Sequence, residues 1–196
     1  RESGGWQDQI AASFGGLNKI TFDDTGYRVM PVVISPERKE KLNQNLMLFF
    51  TGFSRFSADI QVSTKATLKD KTAQLKEMAQ LVDEAEKNLV DKYADLDDFG
   101  RMLDHTWRLK RQTGSKISTD SIDMLYDRGI RSGALGGKLL GAGGGGFLLF
   151  YVPQERQENV KQAMSHLLHV PFRFENGGTE IVLYSPESFS PAEVTK

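Results

Sequence analysis

The sequence has 196 residues, of which 25 are basic and 26 are acidic, giving a net charge of −1, and 39% are hydrophobic. This length suits one large domain or two small ones, and the balanced charge excludes a protein that binds nucleic acid or anionic membranes through its overall charge. The absence of cysteine excludes disulfides, thiolate metal sites and cysteine nucleophiles, and fits the cytoplasmic location that we expect. No apolar run approaches the ~18 residues of a membrane span, so we expect no membrane partner. The balanced charge gives the expectation of no nucleic-acid partner.

The first elements are predicted to be a short helix and a hairpin. Residues 10–14 have a helical pattern, and strands are predicted over residues 17–22 and 27–34. The turn Asp23-Asp24-Thr25-Gly26 joins them, and Pro31 restricts the second strand to an edge or a bulge. Residues 35–41 are polar and charged, which predicts a linker or domain boundary. The first thirty-odd residues are therefore expected to end a separate domain.

The middle of the chain is predicted to be helical after a third strand at residues 46–51. Apolar residues at three- and four-residue spacing predict a long amphipathic helix over residues 65–92, and they are Leu75, Met78, Val82, Ala85 and Leu89. A second helix carries Phe99, Leu103 and Trp107 after the acidic residues Asp95, Asp97 and Asp98. For these acids we expect helix capping rather than metal binding. A third helix is predicted from Ser118-Thr119-Asp120 to Gly133.

The last part is predicted to contain one more helix and a hairpin. Pro153 opens the helix and Pro171 closes it, and its apolar face carries Val160, Ala163, Met164, Leu167 and Leu168. Residues 172–174 and 181–184 are expected to pair around Asn176-Gly177-Gly178, and the tail after Ser185 is expected to be loose. The pattern favours an α+β fold with helices on one side of a mainly antiparallel sheet.

The most unusual part of the sequence is a glycine segment, which consists of Gly141, Ala142, Gly143, Gly144, Gly145 and Gly146. The apolar run that follows at residues 147–152 predicts a buried strand. Glycines this dense allow close approach of backbone amides to an anion, which suggests a phosphate site. A dinucleotide-binding fingerprint is excluded because it needs a helix after the glycines, and the spacing around Gly137-Lys138 excludes a Walker loop. The alternative is a tight helix-to-strand turn that holds no ligand.

Three motifs of this sequence occur together in one known family. The segment Gly5-Trp6-Gln7-Asp8-Gln9, the following Gly15-Gly16 and the glycine segment resemble the GHMP sugar-kinase superfamily. Residues 51–57, 107–111 and 136–140 resemble its heptose 7-phosphate kinase subgroup. The resemblance implies a ferredoxin-like GHMP kinase C-terminal domain at residues 41–196, preceded at residues 1–40 by the tail of the S5-like N-terminal domain.

One family motif is absent. The nucleotide-binding loop of the superfamily, Pro-x-x-x-Gly-Leu-Gly-Ser-Ser, occurs nowhere in this sequence. The resemblance therefore implies that the chain is the C-terminal portion of a kinase and that the N-terminal half is its missing partner. We expect the chain by itself not to turn over ATP.

The activity that the resemblance implies is transfer of the ATP γ-phosphate, with Mg²⁺, to the C1 hydroxyl of a heptose 7-phosphate. The product would feed nucleotide-activated heptose for surface polysaccharide such as lipopolysaccharide. Asp8 matches the residue that orients or deprotonates the attacking hydroxyl, and residues 141–146 match a motif near the nucleotide phosphates. The alternatives are a fucose or galactose kinase, whose sugar carries no phosphate, and a non-catalytic domain that binds ligand or mediates assembly.

Basic side chains are the candidates for the substrate phosphate, because charge-assisted hydrogen bonds suit a dianion. They are Arg55, Lys110, Arg111 and Lys138. The alternative for each is a solvated surface residue, and the alternative for Asp8 is a helix cap. The histidines, His105, His166 and His169, form no metal-ligand pattern, so we expect no protein metal site.

Overall fold

A computed structural model describes residues 6–52, 71–114, 117–140 and 145–184. In chain order its elements are α1 (Gln7–Phe14), β1 (Asn18–Asp23), β2 (Gly26–Pro31), α2 (Pro36–Gln44), β3 (Leu46–Phe50), α3 (Thr72–Val90), α4 (Leu96–Gln112), α5 (Asp120–Arg131), β4 (Gly136–Leu140), β5 (Phe147–Tyr151), a 3-10 turn (Gln154–Arg156), α6 (Gln157–Ala163) and β6 (Leu168–Val170). None of the helices in these ranges is long and apolar enough to cross a membrane.

The main sheet has four strands in the order β4-β5-β3-β6, and each neighbouring pair is antiparallel. Strands β3 and β4 flank β5 and run parallel to each other, with α3, α4 and α5 in the connection between them. Strands β5 and β6 flank β3 in the same way, and α6 connects them. Two interleaved β-α-β units of this kind form the ferredoxin-like arrangement, which confirms the predicted α+β class. Strands β1 and β2 form a separate antiparallel hairpin, as predicted.

The core lies on both faces of the sheet because successive side chains of β5 point in opposite directions. Phe150 packs in a cluster with Trp107, Tyr126 and Val160. Tyr151 belongs to a second cluster to which α2, α3 and α4 contribute Leu42, Leu89 and Leu96. The prediction of helices on one side only is therefore wrong.

The predicted linker at residues 35–41 is instead the start of helix α2. The Ser35 side chain accepts a hydrogen bond from the Arg38 amide at 3.2 Å, and Pro36 occupies the first helical turn. Both are favourable N-terminal features of a helix. Leu42 is the one fully buried residue of α2, so the sequence shows no repeating apolar pattern that would reveal the helix.

The end of the chain differs most from the prediction. Helix α6 stops at Ala163, and Leu168, predicted on its apolar face, lies in β6 with 65% of its surface exposed. The predicted hairpin of residues 172–174 with 181–184 does not form, since the described chain has no strand after Val170. The Phe174 amide instead donates to the side chain of Asn43, and Val182 is 99% exposed.

Two smaller differences concern α3 and β4. In α3, Leu75 and Val82 are exposed although the apolar spacing predicted them to be buried, and Leu89 alone is fully buried. Residues 136–140 form a strand that we did not predict, because Gly136 and Gly137 lower its apparent strand propensity. The glycine segment therefore connects two strands of a hairpin, not a helix and a strand. Residues 65–70 and the tail after residue 184 lie outside the described ranges.

Candidate functional site

Helix α4 and strand β4 bring two lysines close together. Lys110 lies in the last turn of α4, and Lys138 lies in the middle of β4, opposite Leu149. Burial is the main cause that lowers the pKa of Lys110. Burial also lowers the pKa of Lys138, and the charge of Lys110 lowers it further. The two ammonium groups therefore interact in a partly buried place.

Helix α1 adds a carboxylate to this pair. The negative charge of Asp8 acts on both lysines and raises the pKa of each, which offsets part of the lowering by burial. Asp8 itself is exposed. We call these three residues, from α1, α4 and β4, the Asp8–Lys110–Lys138 cluster.

Neither lysine of the cluster forms an ion pair with any carboxylate of the described residues. Lys19, by contrast, contacts the carboxylates of Asp83 and Glu86 at 2.6 and 2.7 Å. Two partly buried cations with a single exposed carboxylate are electrostatically unfavourable, because burial disfavours charge and the two cations repel each other. A bound anion such as a phosphate group would relieve both costs through charge-assisted hydrogen bonds.

The helix-cap alternative for Asp8 finds no support in the geometry. The N-terminus of α1 has no capping hydrogen bond from a side chain. The hydrogen bond described for the Asp8 carboxylate comes from the Gln7 side chain at 3.4 Å. A carboxylate in the first turn still suits the helix dipole, and apart from Gln7 no group of the described residues hydrogen-bonds to its oxygens.

Arg111 does not join the cluster, although it follows Lys110 directly. Its guanidinium contacts the Asp123 carboxylate at 2.9 Å and lies 5.8 Å from the centre of the Tyr126 ring. Adjacent residues on a helix point in different directions, so Lys110 faces the cluster while Arg111 ties α4 to α5. Asp123 is the partner that sequence reasoning missed, because the two residues lie on different helices and no short-range spacing links them.

The glycine segment is described only at its end. Gly146 has a φ of +108°, a value that favours glycine. Its carbonyl oxygen accepts hydrogen bonds from the amide and the hydroxyl of Thr51, each at 2.9 Å. The segment is thus tied to the end of β3. Residues 141–144, which carry most of the predicted phosphate site, lie outside the described ranges, as does Arg55.

Acidic and histidine side chains do not converge on a metal site. Across residues 6–52, 71–114, 117–140 and 145–184, no three of them come together in a way that could hold an ion. Asp95 caps α4, accepting a hydrogen bond from the Asp97 amide at 3.0 Å, which confirms the predicted capping role. His105 pairs with Glu77 at 2.6 Å.

Comparison with known proteins shows what this chain is similar to. The family model described as "GHMP kinases C terminal" matches residues 75–169. The chain is 32% identical over 167 residues to D-glycero-alpha-D-manno-heptose 7-phosphate kinase of Campylobacter jejuni, covering 82% of this chain and 48% of that protein. It is 29% identical over 170 residues to the bifunctional fucokinase/GDP-fucose pyrophosphorylase of Arabidopsis thaliana, covering 82% of this chain and 16% of that protein.

The fold comparison agrees with the sequence comparison. A crystal structure of a D-glycero-D-manno-heptose 1-phosphate kinase from Bacteroides thetaiotaomicron superimposes with a TM-score of 0.61 and 26% identity, covering 93% of this chain and 50% of that one. The chain spans half or less of each of these relatives. It carries a GHMP kinase C-terminal domain at residues 75–169.

Proposed function

We propose that this chain is part of a sugar kinase that transfers the γ-phosphate of ATP to the C1 hydroxyl of a heptose 7-phosphate. The observation that carries the proposal is the Asp8–Lys110–Lys138 cluster, in which two lysines without a carboxylate partner among the described residues share an environment with one exposed carboxylate. Similarity to a heptose 7-phosphate kinase supports the choice of sugar.

Each member of the cluster has a separate task in the proposed reaction. The carboxylate of Asp8 accepts a hydrogen bond from the attacking sugar hydroxyl, aligning it and assisting loss of its proton. Lys110 and Lys138 bind the phosphate group that the sugar brings with it. Because they are partly buried, their interaction with a dianion is weakened less by solvent than that of exposed surface lysines.

The donor is expected to be ATP with Mg²⁺, which supplies the phosphoryl group and neutralises its charge. The described residues contain no convergent set of three acidic or histidine side chains. Mg²⁺ is therefore assigned to none of them, in keeping with its frequent binding through nucleotide phosphates. Residues 141–146 are proposed to line the nucleotide phosphates with backbone amides.

A fucose-type sugar kinase is the second candidate, supported by 29% identity to the Arabidopsis bifunctional enzyme. The two candidates differ in one chemical respect, since free fucose brings no phosphate for Lys110 and Lys138. The full-length enzyme should be assayed for ADP release with heptose 7-phosphate, free heptose, fucose and galactose. We expect the highest kcat/KM with heptose 7-phosphate, and phosphorus NMR of the product should locate the new phosphate on C1.

Preference for a free sugar would favour the second candidate over the first. Phosphorylation at a hydroxyl other than C1 would contradict the proposed position of transfer while leaving the substrate assignment intact. Absence of phosphorylation with every sugar would contradict both candidates and favour a non-catalytic binding domain.

A further inference from the structure

The C-terminal end of α1 is in backbone contact with the segment that follows β6. The Thr179 amide donates to the Ser13 carbonyl at 3.1 Å, and the Gly16 amide donates to the Glu175 carbonyl at 2.9 Å. Residues 13–16 and 175–179 thus bond to each other through the main chain, although they lie at opposite ends of the sequence. We call this contact the glycine clamp.

The clamp depends on the absence of side chains at two positions. A Cβ at Gly178 would overlap the Ser13 carbonyl oxygen, and a Cβ at Gly15 would overlap the Gly177 carbonyl. Gly15 and Gly16 also have φ values of +62° and +74°, which L-residues rarely adopt. The two backbones can therefore approach this closely only because both sides carry glycine.

The C-terminal side of the clamp is itself held in place. The Glu175 carboxylate accepts hydrogen bonds from the amides of Asn176 and Gly177 at 2.6 and 2.9 Å, which fixes the turn. Asn43 on α2 accepts from the Phe174 amide at 2.8 Å and donates to the Phe172 carbonyl at 3.2 Å. The segment therefore connects α2, which abuts the main sheet, to the end of α1.

Helix α1 is short, so a constraint at one end controls the other. Asp8 precedes Ser13 by five residues, or about 7.5 Å along the helix axis at 1.5 Å per residue. Ile10 is the only residue of α1 that is buried among the described residues, so side-chain packing gives the helix little further anchorage.

We propose that the glycine clamp is a positioning device that keeps Asp8 facing Lys110 and Lys138. The inference rests on the proposed role of Asp8 in phosphoryl transfer. Gly15 and Gly178 are positioning residues in this account, since they act on the substrate only through α1. A displacement of the reacting groups by about 1 Å can lower a rate by about 10²-fold, so a small shift of α1 is sufficient to matter.

The test compares Gly178→Ala with Gly177→Ala in the full-length enzyme. A Cβ at Gly177 would meet only side-chain atoms, the end of the flexible Glu180 side chain at 3.0 Å and the Glu175 carboxylate at 3.7 Å, and Gly177 does not have a positive φ. We expect Gly178→Ala to lower kcat by about 10- to 10²-fold and to leave the KM for ATP within about twofold. The matched control, Gly177→Ala, should keep both parameters within about twofold.

A double-mutant cycle with Asp8→Asn separates positioning from a general structural effect. If the clamp acts through Asp8, Gly178→Ala should lower kcat by less than about threefold in the Asp8→Asn background. An equal loss of kcat in both backgrounds would overturn the proposal. Should Gly178→Ala fail to fold, Asn43→Ala, which removes only the side-chain anchors of Phe172 and Phe174, takes its place in the same cycle.

Hydrogen–deuterium exchange gives a readout that does not depend on the reaction. We expect faster exchange of the α1 amides in Gly178→Ala than in Gly177→Ala, with unchanged exchange in α4 and α5. Unchanged exchange of α1 in Gly178→Ala would overturn the clamp even if the enzyme proves to be a heptose kinase. Faster exchange in an enzyme that phosphorylates no sugar would leave the clamp in place and contradict the proposed function.

Discussion

At the scale of single residues, the candidate site depends on which way each charged side chain points. Lys110 and Arg111 are neighbours in sequence with opposite surroundings: Lys110 faces Asp8 and Lys138, whereas Arg111 is paired with Asp123. Composition and motif alone give both residues the same predicted role. We propose a phosphate-binding role for the first, whereas the second joins α4 to α5 through its ion pair with Asp123.

Asp8→Asn tests the role of the carboxylate. The asparagine side chain has nearly the same size but cannot accept a proton, so we expect kcat of the full-length enzyme to fall by roughly 10²-fold or more. The thermal unfolding midpoint should change little because Asp8 is exposed and caps no helix. Activity within a few-fold of wild type would mean that Asp8 takes no part in the reaction.

The pH dependence of substrate binding tests the two lysines. Burial lowers the pKa of Lys110 and of Lys138, so they should lose their protons at lower pH than an exposed lysine. Between the lowered pKa of each lysine and the unfolded value of 10.5, the unfolded chain binds more protons than the folded chain. The free energy of unfolding therefore increases with pH over this range. Phosphate binding has the opposite dependence, since it requires the charged lysines.

We therefore expect the KM for heptose 7-phosphate to rise with pH on the alkaline side, beginning below the ordinary lysine pKa. Initial rates at saturating ATP over an alkaline pH series would measure this rise. The same series with Lys110→Ala/Lys138→Ala serves as the control, in which the rise should disappear. A pH dependence that persists in the double variant would assign it to other groups.

At the scale of elements, close packing of helices on the sheet explains why several positions carry glycine. The sequence alone gives no reason for glycine at these positions. Gly136 of β4 lies against α4, and a Cβ there would overlap the Gly100 carbonyl oxygen. Gly129 of α5 lies against the ring of Phe150. These glycines let the helices approach the sheet, which in turn sets the position of Lys138 relative to Lys110.

Gly136→Ala should consequently destabilise the protein. Forcing a methyl group into the contact between α4 and β4 is expected to cost about 1–3 kcal/mol of the free energy of unfolding. Urea denaturation of the full-length enzyme measures this change, and Gly177→Ala is a control in which the added methyl meets the flexible end of the Glu180 side chain and no backbone atom. Equal midpoints for Gly136→Ala and wild type would show that α4 can move away from the sheet at little cost.

Much of the fold could be predicted because its elements carry clear local signals. Thr119 precedes α5 as an N-cap, and the apolar run at residues 147–151 is a buried strand, as their patterns indicate. Helix α2 and strand β6 could not be predicted in this way. The first buries a single leucine completely, and the second is a three-residue edge strand whose identity depends on its pairing with β3.

The candidate site was predictable only in part. The motif around Asp8 and the family resemblance indicated Asp8, Lys110 and Lys138, but not that they interact. Their interaction joins α1, α4 and β4, which lie in separate parts of the sequence. The glycine clamp could not be predicted from the sequence either, since Asn176-Gly177-Gly178 has the composition of an ordinary hairpin turn.

At the scale of the whole molecule, long-range polar contacts join the first hairpin and α2 to α3. Lys19 of β1 contacts Asp83 and Glu86 on α3 at 2.6 and 2.7 Å. Arg38 on α2 donates to the carbonyls of Asn88 and Leu89 at the end of α3 and to that of Ala94 in the following loop. These contacts hold β1 and α2 against α3 within this chain, which spans 48% of the Campylobacter heptose kinase.

We expect that the chain by itself neither hydrolyses ATP nor transfers its γ-phosphate, because the superfamily's nucleotide loop is absent from its sequence. A coupled ADP-release assay on the isolated chain, with heptose 7-phosphate, free heptose and galactose, measures this directly. The full-length enzyme under the same conditions is the positive control. Robust turnover by the isolated chain would show that its own residues bind the nucleotide.

The central claim is that Lys110 and Lys138 bind the phosphate of a phosphorylated sugar. Its most direct test is to measure the KM of the full-length enzyme for heptose 7-phosphate and for free heptose. Each lost charge-assisted hydrogen bond is expected to raise the KM for the sugar phosphate about tenfold. Lys110→Ala/Lys138→Ala should therefore raise it by about 10²-fold and change the KM for free heptose far less, while Arg111→Ala alters neither by more than a few-fold. An equal loss on both sugars in the double variant, or a wild-type preference for free heptose, would contradict the account.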